Sequence, residues 1–175
     1  MDAYLAVVSK REVRRYEDRP VREDVLRKIL EAGRATGSSK NSQPWRFIVC
    51  TGRPRLRELA PLVSAPRNIE GCAAAIAVAI LVGRGGLDGG RVAQNMMIAA
   101  WSLGVGTCPN SPRDQAAMRQ ALGLPDDAVV PTIVSLGYPG KGEPRPPKGT
   151  APEEVLARVK RLPFEELVHR ERYRS

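Results

Sequence analysis

The chain is short of histidine, of aromatic side chains and of long apolar runs, and each shortage removes a class of function. One histidine, His169, stands in a charged segment near the end of the 175 residues. That leaves too little for a histidine-based metal site or a Ser/Cys–His nucleophile pair, and a solvated surface histidine is the reading. Aromatics are 5% of the chain and are not interleaved with the basic clusters, so the stacking platforms of a single-strand binder are missing. The longest apolar candidate, Cys72 to Val82, falls well short of the roughly 20 residues of a spanning helix. The N-terminus opens on Asp2 rather than a basic, apolar leader, so a soluble, cytoplasmic protein without membrane contact is expected. The three cysteines, Cys50, Cys72 and Cys108, lie far apart beside apolar runs. Neither a CxxC metal spacing nor an even disulfide framework is present, and buried, reduced thiols are expected.

What is present suffices for one packed domain over residues 1–175, with 42% hydrophobic content. The net charge of +9 welcomes something anionic, whether phosphate, carboxylate, nucleic acid or headgroup, without choosing among them. Basic clusters lie at Lys10 to Arg19, Arg53 to Arg57 and Arg158 to Arg174. Apolar spacing predicts an amphipathic helix over Val21 to Arg34 and another over Pro54 to Val63. Short apolar runs bounded by turn residues predict strands at Trp45 to Cys50, Cys72 to Val82 and Val129 to Tyr138. Arg91 to Leu103, apolar nearly all round, predicts a buried helix at or near a subunit interface. Gly83 to Gly90, which includes Gly83-Arg84-Gly85-Gly86, lacks dinucleotide-loop spacing and reads as a turn. Capping signals at Ser111 with Pro112 and Asp114, and at Thr150 with Pro152 and Glu153, predict helices to Gly123 and to Lys160. A Pro/Gly-rich linker, Gly140 to Gly149, separates the last strand from the last helix. Strands alternating with helices give an α+β arrangement around one sheet whose strand order is not readable.

Two stretches carry chemistry. Lys10, Arg11, Arg14 and Arg15 crowd the approach to the first predicted helix, and cations at such spacing converge on one phosphate dianion, although basic runs are commonly solvated faces. Ser38-Ser39-Lys40-Asn41-Ser42-Gln43-Pro44-Trp45 then concentrates hydroxyls and amides between a helix and a strand. Together, Lys10-Arg11-Glu12-Val13-Arg14-Arg15-Tyr16 and Asn41-Ser42-Gln43-Pro44-Trp45 resemble the nitroreductase family of flavoproteins. Further blocks follow in the family's order: Gly104-Val105-Gly106-Thr107, Leu136-Gly137-Tyr138-Pro139 and Arg161-Leu162-Pro163-Phe164-Glu165-Glu166-Leu167-Val168.

The resemblance implies a central, mostly antiparallel sheet flanked by helices in an intertwined homodimer with two FMN sites built from both subunits. It implies that Lys10, Arg11 and Arg14 hold the phosphate and ribityl end, with Arg161 reaching the phosphate from the C-terminal side. Ser38, Ser39 and Asn41 would meet the isoalloxazine ring, partly across the interface. Arg14 would stabilise negative charge near flavin N1 and O2. Trp45 is expected in the core, and so are Met96 and Met97. The implied reaction is NAD(P)H-dependent reduction of nitroaromatics, quinones or similar small acceptors by a ping-pong scheme, which asks for no acid–base pair and accords with the scarcity of histidine. Flavin-fragmenting, dehalogenating or ring-dehydrogenating chemistry on the same fold is the alternative, as are a flavin carrier and a basic nucleic-acid-binding module. Three positions depart from the pattern. Glu12 stands where many members have serine, Pro112 has no N–H to offer flavin N5 so that Asn110 or Ser111 would serve, and the segment between the Cys72 strand and the Arg91 helix is short, implying an open pocket.

Overall fold

The computed structural model describes residues 1–81 and 86–173. Along the chain the elements are α1 (Ala3–Ser9), α2 (Glu23–Arg34), β1 (Trp45–Cys50), α3 (Arg53–Leu59), α4 (Pro66–Glu70), β2 (Ala74–Ile80), α5 (Gly86–Ser102), β3 (Gly106–Asn110), α6 (Gln115–Leu122), β4 (Val129–Gly137), α7 (Pro152–Ala157) and α8 (Phe164–Leu167). The strands form one antiparallel sheet in the order β1-β2-β4-β3. Among the described residues no helix is long and apolar enough to cross a membrane.

Alternation along β2 sorts the helices into two layers. Because successive strand side chains point to opposite faces, Ala74, Ile76, Val78 and Ile80 share one core with Leu26 and Ile29 of α2 and Val92, Met96 and Ala100 of α5. Ala75, Ala77 and Ala79 face the other, with Leu56 and Leu59 of α3, Ile69 of α4 and Met118 of α6. The large residues thus meet the two long helices and the alanines leave room for the short ones. Each fully buried Ile or Val contributes on the order of 1.5–3 kcal/mol. Trp45, Met96 and Met97 are buried core residues, as the sequence suggests. Cys50, Cys72 and Cys108 are buried and free.

The strand β1 has the boundaries read from the sequence, and four other expectations need correction. The capping residue of α6 is Asp114, whose carboxylate accepts from the N–H groups of Ala116 and Ala117. Ser111 cannot cap it, because Ser111 to Arg113 is pinned in extended form against Leu62 to Ser64: Ser64 N–H donates to the Ser111 carbonyl and Arg113 N–H to that of Leu62. Thr150 does not cap α7 either; Ala151 occupies that position without a side-chain bond, and the helix stops at Ala157. The glycine turn expected up to Gly90 is helical from Gly86 onward, since Gly89 lets α5 approach Pro131 where a Cβ would lie 2.7 Å from its ring. The expected positions Val82 to Gly85 lie outside the described residues, as does Arg174. Finally, Gly140 to Gly149 is no spacer, for Glu143 and Arg145 tie it back to the chain at Arg14, Arg15 and Glu17.

Candidate functional site

The N-terminal basic stretch is fastened to the outer edge of the sheet. Val13 is fully buried and its N–H donates 3.0 Å to the Thr107 carbonyl, while Glu12 and Thr107 form a bridge. Gly106 makes this approach possible, since a Cβ there would sit 2.6 Å from the Val13 side chain. Three residues on, the Tyr16 hydroxyl donates to the Val13 carbonyl at 2.7 Å and lies 2.8 Å from Ser135 Oγ. Burial pushes this phenol well above its ordinary range. Between these anchors Arg14 points outward. Its backbone N–H donates to Glu143 Oε2, and its exposed side chain makes no hydrogen bond or ion pair among the described residues.

The other cations of the stretch are less free. Lys10 has only 6% of its side chain exposed, and its Nζ lies 2.6 Å from Glu12 Oε1 and 3.6 Å from Met97 Sδ. It is neither a surface cation nor an open ligand: Glu12 holds it, and the arginines are not what Glu12 orients. The second oxygen, Glu12 Oε2, is buried with no hydrogen-bond partner among the described residues, as is Thr107 Oγ1 on the bridged residue. Arg11 donates through Nη1 to the carbonyls of Val8 and Lys10. Arg161 is exposed, with Nη1 on the Lys160 carbonyl; it follows α7, which packs on α1. Arg15 is committed to Glu143 at 2.7 Å.

The serine-rich turn is strained. Lys40, Asn41 and Gln43 have φ of 52°, 53° and 45°, a left-handed conformation that non-glycine residues adopt at a cost and that clusters at functional sites. Ser38 Oγ accepts the Gln43 N–H at 2.9 Å, and Gln43 Nε2 donates to the Asn41 carbonyl. The turn is thereby closed on itself, with the side chains of Ser39 and Asn41 exposed. Gln43 and Trp45 border an open groove of about 440 Å³ with Leu30, Arg34 and Phe47.

At the end of β3, Asn110 is buried and its amide is fully used. Nδ2 reaches the carbonyls of Cys108 and Ile133 and Ser135 Oγ, and Oδ1 accepts from Asn68 Nδ2 at 2.9 Å. Its side chain has nothing left for a ligand, whereas Ser111 next to it is exposed. Asn68 also donates to Cys108 Sγ, and burial pushes that thiol up. Nothing in the sequence singles out Asn68 or Glu143, and the Gly104 to Thr107 block does not tell that Thr107 meets Glu12; these roles depend on contacts between distant parts of the chain.

Within one chain the two halves of this set do not meet. The Ser38 to Gln43 turn feeds β1 at the Trp45 end, whereas Lys10 to Tyr16 runs along β3 and past the Gly106 and Gly137 end. These are diagonally opposite corners of the sheet, separated by about 14 Å across three strand spacings and nearly twice that along the strands. The helix α5 lies between them: Asn95 donates to Thr36 beside the turn, and Met97 touches Lys10. Two residues apart on a helix means opposite sides.

The model of the nitroreductase family matches residues 7–79 and 87–138. A provisionally named NADH dehydrogenase/NAD(P)H nitroreductase of Archaeoglobus fulgidus is 31% identical over 76% of this chain and 83% of its own length. An NADH dehydrogenase of Thermus thermophilus is 30% identical, over 81% of this chain and 88% of its own. In fold, an FMN-dependent nitroreductase of Clostridium difficile R20291 superposes with a TM-score of 0.75 at 24% identity, covering 94% of this chain and all of its own. With its antiparallel sheet, its flanking helices and these matches, the chain belongs to the nitroreductase family of oxidoreductases.

Proposed function

We propose that the chain is an FMN-dependent oxidoreductase of the cytoplasm, acting as a homodimer, which takes electrons from NADH or NADPH and passes them in ping-pong order to nitroaromatics, quinones or similar small acceptors. The observation that carries this reading is the diagonal separation of the two polar corners. A flavin ring in contact with both needs the Ser38 turn of one copy beside Arg14 of another, which makes the site a property of the pair.

The residues fit the cofactor. Thr107 Oγ1, a buried polar atom without a partner among the described residues, lies beside the basic stretch, and Arg14 is a cation held by its backbone, its guanidinium uncommitted among those residues. Bound FMN supplies the two-electron chemistry. Arg14 places positive charge where N1 and O2 become negative, in a site that the second copy dries and where such a charge counts for more than in water. Ser39 and Asn41 present their side chains to the ring, and Ser38, tied to Gln43, fixes the turn that carries them. Arg11 and Arg161 face the phosphate. Asn110 anchors the loop from below, so that its contribution at N5, with that of Ser111, is a backbone one.

The second copy has a ready contact. The C-terminal segment is apolar and uncovered, with Leu162, Phe164 and Leu167 each more than half exposed, and such a patch marks an association surface. An absorption spectrum of the purified protein tests the flavin reading: a retained band near about 450 nm, with FMN released on denaturation, is expected. A protein that stays colourless after FMN addition and desalting overturns it. Oxidation of NADH or NADPH that accelerates on adding menadione or a nitroarene separates an enzyme from a carrier.

A further inference from the structure

The pair Lys10–Glu12 is built from one residue that the motif needs and one that it does not. Lys10 opens the basic stretch and is 94% buried by its side chain, with Glu12 Oε1 2.6 Å from its ammonium and the neutral Met97 sulfur as its other contact. Among the described residues no other carboxylate bonds to Lys10, and neither Arg11 nor Arg14 bonds to Glu12. The ammonium therefore holds the carboxylate through one oxygen, with the Cys108 thiol also beside Glu12. The other oxygen, Oε2, is buried without a hydrogen-bond donor among the described residues.

A phosphate monoester at neutral pH offers the same chemistry to Lys10 as Glu12 does, namely anionic oxygens that accept and do not donate. The two cannot share one ammonium cheaply, because Oε2 already lacks a donor and adjacent negative charges raise the cost of both. Resting on the flavin reading above, we propose that Glu12 is an internal rival of the cofactor's phosphate for Lys10 and so sets how strongly this chain prefers FMN over riboflavin. Riboflavin has no phosphate and does not contest the pair. FMN must displace Glu12 or do without Lys10, leaving Arg11 and Arg161 to distinguish the two flavins.

Equilibrium dialysis of the flavin-stripped protein against equimolar FMN and riboflavin, with the retained flavins separated by chromatography, reads this preference directly. Glu12→Gln keeps the shape and removes the charge. It is expected to raise the ratio of bound FMN to bound riboflavin about tenfold or more, the scale of one charge-assisted bond. Glu12→Ser, run in parallel, guards against a variant that fails to fold and is expected to shift the ratio the same way. Adding Lys10→Met to Glu12→Gln is expected to abolish the gain, since the effect runs through Lys10. An unchanged ratio in the folded single variants, or a gain that survives Lys10→Met, overturns the proposal while leaving the flavin reading intact. Retention of neither flavin by the unaltered protein overturns both, and shows that the flavin reading is the one that failed.

Discussion

At the scale of single residues, freedom separates Arg14 from its neighbours. Lys10 is held by Glu12, Arg11 by two carbonyls and Arg15 by Glu143, whereas Arg14 is exposed and its guanidinium unengaged among the described residues. Arg14→Ala is therefore expected to leave the melting midpoint nearly unchanged, within about 0.5 kcal/mol. Its effect on nicotinamide-driven quinone reduction should be large, about a hundredfold in kcat/KM. Stopped-flow and thermal melts on one preparation check both, and an equal loss in the two measurements would make Arg14 a structural residue. The basic stretch was legible because its residue types and spacing are local properties. That Lys10 is buried was not, because it follows from Met97 and Glu12 packing around it, and the contact to Met97 lies 87 residues away in sequence.

At the scale of elements, the N-terminal stretch stays in place through steric fit. Gly106 and Gly137 leave room for Val13 and Tyr16, whose side-chain atoms would lie 2.6 and 2.7 Å from an added Cβ. Gly106→Ala is expected to cost about 1–3 kcal/mol through overpacking and to weaken FMN retention with it, measured as the midpoint of denaturant unfolding beside the bound flavin fraction. Loss of stability with flavin binding unaltered would mean that the stretch does not depend on β3. The amphipathic helix α2 was readable from its spacing, since hydrophobic period reports burial, and β1 from a short apolar run bounded by Pro44 and Gly52. The strand β3 was not, for Gly106-Thr107-Cys108-Pro109-Asn110 shows no apolar alternation and owes its form to pairing with β4. Nor was the start of α6. A capping signal at Ser111 is valid chemistry that lost to the contacts of Ser111 to Arg113 with Leu62 to Ser64, and Asp114 took the role.

At the scale of the whole molecule, burial of weak acids makes the fold sensitive to base. Burial pushes the Cys72 thiol up from 9.0 to about 12, and Cys50, Cys108 and Tyr16 shift upward from the same first cause. The unfolded chain loses these protons first, so the native state binds more of them. Stability is full below about pH 9 and falls as pH rises toward 12, by about 1.4 kcal/mol per pH unit for each group ionised only in the unfolded chain. Melts from pH 7 to 11 should show this fall, and a flat profile would refute it. The apolar C-terminal segment belongs to the same scale: Phe164→Ala with Leu167→Ala is expected to shift the protein from dimer to monomer in light scattering and to release flavin. A monomeric unaltered protein would refute the two-copy site. The sheet adds one more consequence. One of its margins ends in β3, where Pro109 has no N–H to donate and the Glu12 to Val13 backbone already occupies Thr107; at the other margin no further strand of the described residues pairs with β1. A strand added from another molecule can join only at β1, and when two molecules join there each has used its single free edge. Edge-to-edge growth into fibres is thereby capped at two, a built-in stop to polymerisation.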